Sequence, residues 1–206
     1  MTVRSVPPVV LRNGVAFEDP LSIVIGFLET WRLNIGDHPP PESFSVVDLR
    51  LANRDGARIS AAEIAAVLER RVRIERALRG IASDSSLVGA NRAIPWQPLK
   101  LLFDAFADIH GVGLSKTTKA LHRKRPALIP MLDSVVQKYL ADDDPGKQAR
   151  FGERALALVS GYKRDLDRNR AALGTLRREL GRRGHVLTEV RIIDLLIWAD
   201  QVSPPR

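Results

Sequence analysis

The chain has 206 residues, 45% of them apolar but only 5% aromatic, with no cysteine and a formal net charge of +8. That length holds one domain, or two small interlocked ones, with a real core, and the missing cysteine excludes disulfides, thiolate zinc sites, cysteine-ligated iron–sulfur clusters and a cysteine nucleophile. No apolar run approaches the ~18 residues needed to span a bilayer and the N-terminus lacks a secretory leader's pattern, so the expectation is a soluble, cytoplasmic protein without membrane contact.

Abundant alanine, leucine and arginine favour helices over strands. Residues 1–19 read as irregular, interrupted by Pro7-Pro8 and Asn13-Gly14. A helix over 20–33 sets Phe27 and Trp31 on one face, Pro39-Pro40-Pro41 is a stiff connector, and 43–54 fits either a strand or a short helix. Ser60 with Glu63 is a capping box, opening a helix that runs to 81. Its inner stripe is Ile64, Val67, Leu68, Ile74, Leu78 and Ile81, and Arg70, Arg71, Arg73 and Arg76 form a solvated outer face. Pro95-Trp96 opens a helix over 96–109 with Leu99, Leu102, Phe103, Phe106 and Ala107 inward.

A glycine hairpin follows at Gly111-Val112-Gly113, then a basic helix over 114–123, a proline-bounded loop and Asp133 at the head of another helix. That helix ends at Asp142-Asp143-Asp144-Pro145-Gly146, read as a solvated acidic tip rather than a magnesium site. Helices over 147–160, 163–181 and 188–200 complete the chain, with a break at Gly181 and Gly184 and Thr188 as a cap. No internal repeat or sustained strand pattern occurs. The expected fold is all-α, one domain over 1–206, with basic C-terminal helices at 147–200.

Charge is unevenly placed: residues 1–99 hold 12 Lys/Arg against 11 Asp/Glu, and residues 100–206 hold 20 against 13. The excess lies in the half that carries the hairpin, which points to a polyanion, foremost nucleic acid. Two glycines around one apolar residue permit a tight turn with its amides outward, and the next helix's N-terminus completes a phosphate site. Lys116, Lys119 and Arg123 share one face of that helix, and Leu114, Thr118 and Leu121 share another. Between 110 and 125 there are five Lys/Arg, with Lys124 and Arg125, and no acid. Such a cluster suits sequence-independent contact with a DNA backbone through His110, Gly111, Val112, Gly113, Ser115, Lys116, Lys119 and Arg123. The plainer alternatives are an ordinary turn between helices and, for Asp133-Ser134, a helix N-cap.

This stretch resembles the helix-hairpin-helix core of the base-excision DNA glycosylase superfamily. The match runs through His110-Gly111-Val112-Gly113, the helix, the loop from Pro126 to Pro130 and Asp133, about 25 residues within a helix-hairpin-helix unit at 96–141. The resemblance implies a bilobal α-helical fold that binds DNA and flips a nucleotide into a pocket between the lobes. It implies for Asp133 the role of the catalytic carboxylate, stabilising the cationic sugar as the base departs and helping to orient a water. Bifunctional members carry a lysine where this chain has Ser115, 18 residues before Asp133. Lys116 lies one step on, about 100° around the helix, so the implied enzyme is a single-function glycosylase. Departures are His110 where a proline commonly precedes the hairpin, a loose match at Lys138, and no cluster-binding cysteines.

Trp96 and Tyr139, with Phe103 and Trp31 behind them, are the candidate walls of a base pocket, although such residues equally suit a core. His38, His110, His122 and His185 show no metal-ligand spacing, and surface or phosphate-adjacent roles fit His110 and His122. No phosphate-binding P-loop, Gly-x-Ser-x-Gly or dinucleotide fingerprint occurs. No metal or cofactor is expected. The segment 163–183 carries Lys163, Arg164, Arg168, Arg170, Arg177, Arg178, Arg182 and Arg183, and reads equally as a second backbone contact or a salt-bridged solvated helix. Rival functions are a non-catalytic DNA-binding or scaffold protein of the same fold, and a protein–protein adaptor that uses the basic helices.

Overall fold

The computed structural model describes residues 6–31 and 40–202. His38, Pro39 and the expected helix end at Leu33 lie outside the described residues, as does the side chain of Trp31. The irregular N-terminus contains a small ribbon: Asn13-Gly14 turns the chain, Gly14 at φ +85, and Val9–Val10 (β1) pairs antiparallel with Ala16–Phe17 (β2). So short a pair is not stable alone. Asn169 anchors it by imitating a neighbouring strand, accepting from Val10 N at 2.8 Å and donating to Val10 O at 2.9 Å.

Helix α1 spans Pro20–Trp31. The ambiguous segment is helix α2, Val46–Arg54, because Ser45 caps it: its hydroxyl accepts from Val47 N, and Asp48 reaches back to accept from Ser45 N. Ser60 and Glu63 form the expected capping box. The helix they open is two helices, however, α3 (Ala61–Glu69) and α4 (Arg71–Arg79), bent at Arg70. No glycine or proline marks the bend; it lets Val67, Ile74 and Leu78 all reach full burial.

Helix α5 is Trp96–Asp104, five residues shorter than 96–109. Its end tightens into three-residue turns, with Phe106 N donating to Phe103 O at 2.9 Å, and Asp108 then reverses the chain at φ +61. A short polar side chain tolerates that left-handed conformation. Helices α6 (Leu114–His122), α7 (Ser134–Tyr139), α8 (Phe151–Arg168), α9 (Arg170–Arg182) and α10 (Glu189–Gln201) follow. The expected break before residue 163 is absent. Gly161 sits inside α8, where the Asp143 carboxylate fills the space a Cβ would need, and the break falls at Asn169.

The all-α expectation holds. α5 lies against α8 and α4, α10 against α7, α1, α9 and α8, and α2 against α6. One contiguous cluster of buried apolar side chains runs from Val9 to Ile197, with Phe44 edge-on to Phe106 at 5.8 Å between centroids. The two-lobed division implied by the resemblance is therefore not drawn in the core. The helices flanking the glycine turn, α5 and α6, make little contact with each other and pack on different partners. Among the described residues no helix is long and apolar enough to cross a membrane.

Candidate functional site

The turn before α6 is pegged by two apolar side chains, bordered by the Glu63 carboxylate at Gly111 and open at Gly113. Ile109 and Val112 are buried, and His110, Gly111 and Gly113 face solvent. Gly111 adopts φ +76, and the Glu63 carboxylate occupies the place a Cβ would take. Replacing Gly111 by alanine should therefore destabilise the fold by about 1–2 kcal/mol from the left-handed backbone alone, plus the displacement of Glu63. Urea denaturation checks this, with Gly113→Ala as the control. Gly113 has an ordinary φ of −90 and open space around it, so it should tolerate a methyl group. As the N-cap of α6, Gly113 supplies no side-chain acceptor, so the positive end of the helix is presented at the surface.

The cations of α6 do not form the free basic face read from the sequence. Lys116, Lys119 and Arg123 do share a face, but residues 55–63 cover it. Lys116 Nζ lies 2.6 Å from Glu63 Oε1, and Arg123 grips both oxygens of Asp55 at 3.1–3.2 Å. Gly56 lies beside Lys119, with Nζ 3.7 Å from where its Cβ would be. The hydrogen bond from Lys116, then that from Ser60 N, hold the Glu63 carboxyl below its usual range. Lys124 is buried against Asp48 at 2.6 Å. Arg125, 1% exposed, donates to the carbonyls of Leu78, Ile81, Pro41 and Lys124. Of the five, Lys119 and Arg125 have no ion pair among the described residues, and since Arg125 is buried on carbonyls, Lys119 is the one that reaches solvent without an acid partner. The correction has a simple cause: the segment 110–125 lacks acids, but the fold brings them from residues 48–63.

The opposite face of α6 positions Asp133. Thr118 Oγ1 donates to Leu114 O and accepts from Leu132 N at 3.0 Å. His122 Nδ1–H donates to Ile129 O at 2.7 Å from a buried position, so His122 holds the proline loop rather than a phosphate. Asp133 then caps α7: Oδ1 accepts from Val135 N and Val136 N, both at 3.0 Å, and Oδ2 accepts from Trp198 Nε1 at 3.1 Å. The carboxylate is 6% exposed. Both of its oxygens are engaged within the fold.

The candidate pocket walls Trp96 and Tyr139 have different polar partners among the described residues. Trp96 is half-buried and donates its indole N–H to Asn91 O and Oδ1, each at 3.2 Å. Tyr139 lies under the Arg12 guanidinium, 5.3 Å from its centroid, and accepts from Arg12 N. Burial pushes its phenol up to about 12. Phe103 belongs to the core.

The C-terminal helices also have their charges largely spoken for. Lys163 is buried against Asp167, Arg164 pairs with Asp143, Arg168 with Asp165, Arg170 with Asp167, Arg177 with Glu189, and Arg182 and Arg183 with Glu179. The acidic run is not a solvated tip. Asp143 binds Arg12 and Arg164, and Asp144 binds Arg154 at 2.7 Å. Only Asp142 of the three is exposed.

Sequence reasoning missed Glu63 as the acid beside the turn and Asp55 as the acid at the far end of α6. The Ser60–Glu63 capping box was a usable signal for Glu63's position, but nothing local announces its bond to Lys116, 53 residues away. A family model described as a family of unknown function, DUF6308, matches residues 55–201. That span holds the glycine turn, α6, Asp133 and both of these acids. No curated protein and no solved structure matches the chain.

Proposed function

We propose that this chain, which belongs to the family of unknown function DUF6308, binds the backbone of nucleic acid without excising bases. The observation that carries the reading is the exposed turn at residues 110–113, which opens directly into an uncapped α6. Helix N-termini of this kind offer amides and a positive dipole end to a phosphate. Gly113 leaves room for its approach. Lys119 is the adjacent cation without an acid partner among the described residues, and Lys116 can exchange Glu63 for a phosphate because that pair is partly exposed, 23% and 15%. Contacts of this type neutralise phosphates and read no sequence.

Asp133 supports the non-catalytic version. Its oxygens accept from two amides and an indole, so about three of the carboxylate's four acceptor positions are spent within the fold, and the residue is 6% exposed. Fluorescence anisotropy with duplex DNA is expected to show affinity falling steeply as salt rises. Gly113→Val and Lys119→Glu should each weaken binding on every sequence tested, with folding intact. A flat salt response would remove the nucleic-acid reading and leave the adaptor. Alkali-labile sites appearing in oligonucleotides with deaminated, oxidised or alkylated bases, and lost in Asp133→Asn, would restore the glycosylase.

A further inference from the structure

We infer that the outer face of α4 is a second polyanion contact, built to lie along a nucleic-acid backbone. It rests on the reading above for the class of partner but not for the site. The chain's positive charge has to be expressed somewhere. Most cations of the C-terminal half are paired with acids, on their own helix or on another element. In α4 the opposite holds. Arg73, Arg76 and Arg79 are exposed, and none of them has an ion pair among the described residues. Half-buried Arg70 precedes them at the bend. The acid of the helix is turned inward: Glu75 Oε1 accepts from Phe44 N at 3.0 Å and from Arg71 Nε at 2.8 Å. Glu69, at the end of α3, is the acid that borders the face.

The geometry is that of a row rather than a scatter. Arg76 stands two residues from both Ile74 and Leu78, about 200° around the helix from each, and those two are fully buried. Arg73 and Arg79 flank it, one turn apart on either side. From Arg73 to Arg79 the helix rises about 9 Å, a length over which duplex DNA carries about five phosphates. Guanidinium groups suit that partner because each can grip a phosphate through two parallel hydrogen bonds. A lipid surface fits less well. A membrane-lying helix needs an apolar face to bury in the interface, and the apolar side of α4 is already in the core. Val72, 67% exposed, is the single large apolar side chain outside it on this helix.

The test is Arg73→Gln, Arg76→Gln and Arg79→Gln combined in the full chain, with binding of a short duplex followed by anisotropy across a salt series. Every phosphate that goes without its cation lowers the slope of log affinity against log salt by about 0.9. The triple variant should lose about two to three from that slope and bind at least about tenfold more weakly at low salt on every sequence. Its thermal unfolding should match the parent, since the three exposed side chains hold no ion pair among the described residues. Unchanged affinity and slope overturn the proposal. Loss of binding in this variant, with Gly113→Val and Lys119→Glu unaffected, upholds the α4 contact and removes the glycine turn as the site. A parent chain that ignores DNA but binds phosphatidylserine vesicles or polyglutamate overturns it, as does a parent that binds none of the three.

Discussion

Lys124→Met is expected to cost the fold about 3–5 kcal/mol, the usual penalty for removing one partner of a buried ion pair. The ammonium lies 2.6 Å from Asp48 Oδ1, and the two side chains are 0% and 1% exposed. Lys124 Nζ also donates to Pro40 O at 3.0 Å. Methionine keeps most of the stem's volume and discards the charge. Asp48 would then retain Ser45 N as its close partner, in surroundings where water does not reach it. Against the 5–15 kcal/mol that holds a typical domain together, such a loss is easily measured by urea denaturation. Adding Asp48→Asn should recover a large part of it, because the stranded charge is gone. A loss below about 1 kcal/mol would mean that the pair behaves like an exposed one, and the burial of this helix junction would have to be reconsidered.

Asp194→Asn should abolish a pH dependence of stability worth about 4 kcal/mol between pH 4 and pH 7. Asp194 is fully enclosed, and burial is the chief cause that pushes its carboxyl up to about 7, with Asp133 adding a smaller push and Arg191 opposing. The geometry agrees. Tyr162 Oη lies 2.5 Å from Val190 O and 2.9 Å from Asp194 Oδ1. One phenol has one proton, so it donates to the carbonyl and the second contact needs a proton from the acid. The remaining neighbours are Met131 N at 3.4 Å and Arg191 at 3.9 Å from Oδ2.

The sign follows from proton counts. An acid whose folded value exceeds its unfolded one is bound to a proton in the native state while the unfolded chain has lost it. Its contribution to stability is therefore full below about pH 4, falls as pH rises toward 7, and is flat above. The asparagine amide can donate to Tyr162 in place of the acid, and it does not titrate. The difference in unfolding free energy between variant and parent should thus shift in the variant's favour across that window. Other carboxylates cancel in the difference. A difference that stays constant from pH 4 to pH 8 would show that Asp194 is charged in the native protein.

These results bear on function through Asp133, which borders Asp194 and shares its enclosed setting. A carboxylate that caps α7 and holds Trp198 stabilises the fold as it stands. The same residue type at the same place would serve chemistry only if one oxygen faced a bound ligand. Type and position were readable in the chain; the direction of the lone pairs was not. The hairpin was legible in the same partial way. Gly111 and Gly113 mark the turn, and its exposure follows from their flexibility and from the pegs Ile109 and Val112. The nine residues between α5 and α6, in place of a tight hairpin on a longer helix, depend on Asp108 leaving the helical conformation.

What this chain determined by itself is local. Capping at Ser60, Asp133 and Thr188, the buried faces of α5 and α6 and the all-α class rest on interactions within a few residues, where spacing alone brings groups together. The bend at Arg70 and the continuous α8 across Gly161 required the packing of other elements. The charge at the candidate site was decided at longest range. Asp48, Asp55 and Glu63 reach Lys124, Arg123 and Lys116 only after α2 has packed along α6, and Arg73, Arg76 and Arg79 of α4 stay uncovered while Glu75 turns to Phe44 N and Arg71. Helix formation depends on neighbours in the chain, whereas the state of a charge depends on whatever lies within a few ångströms of it in space.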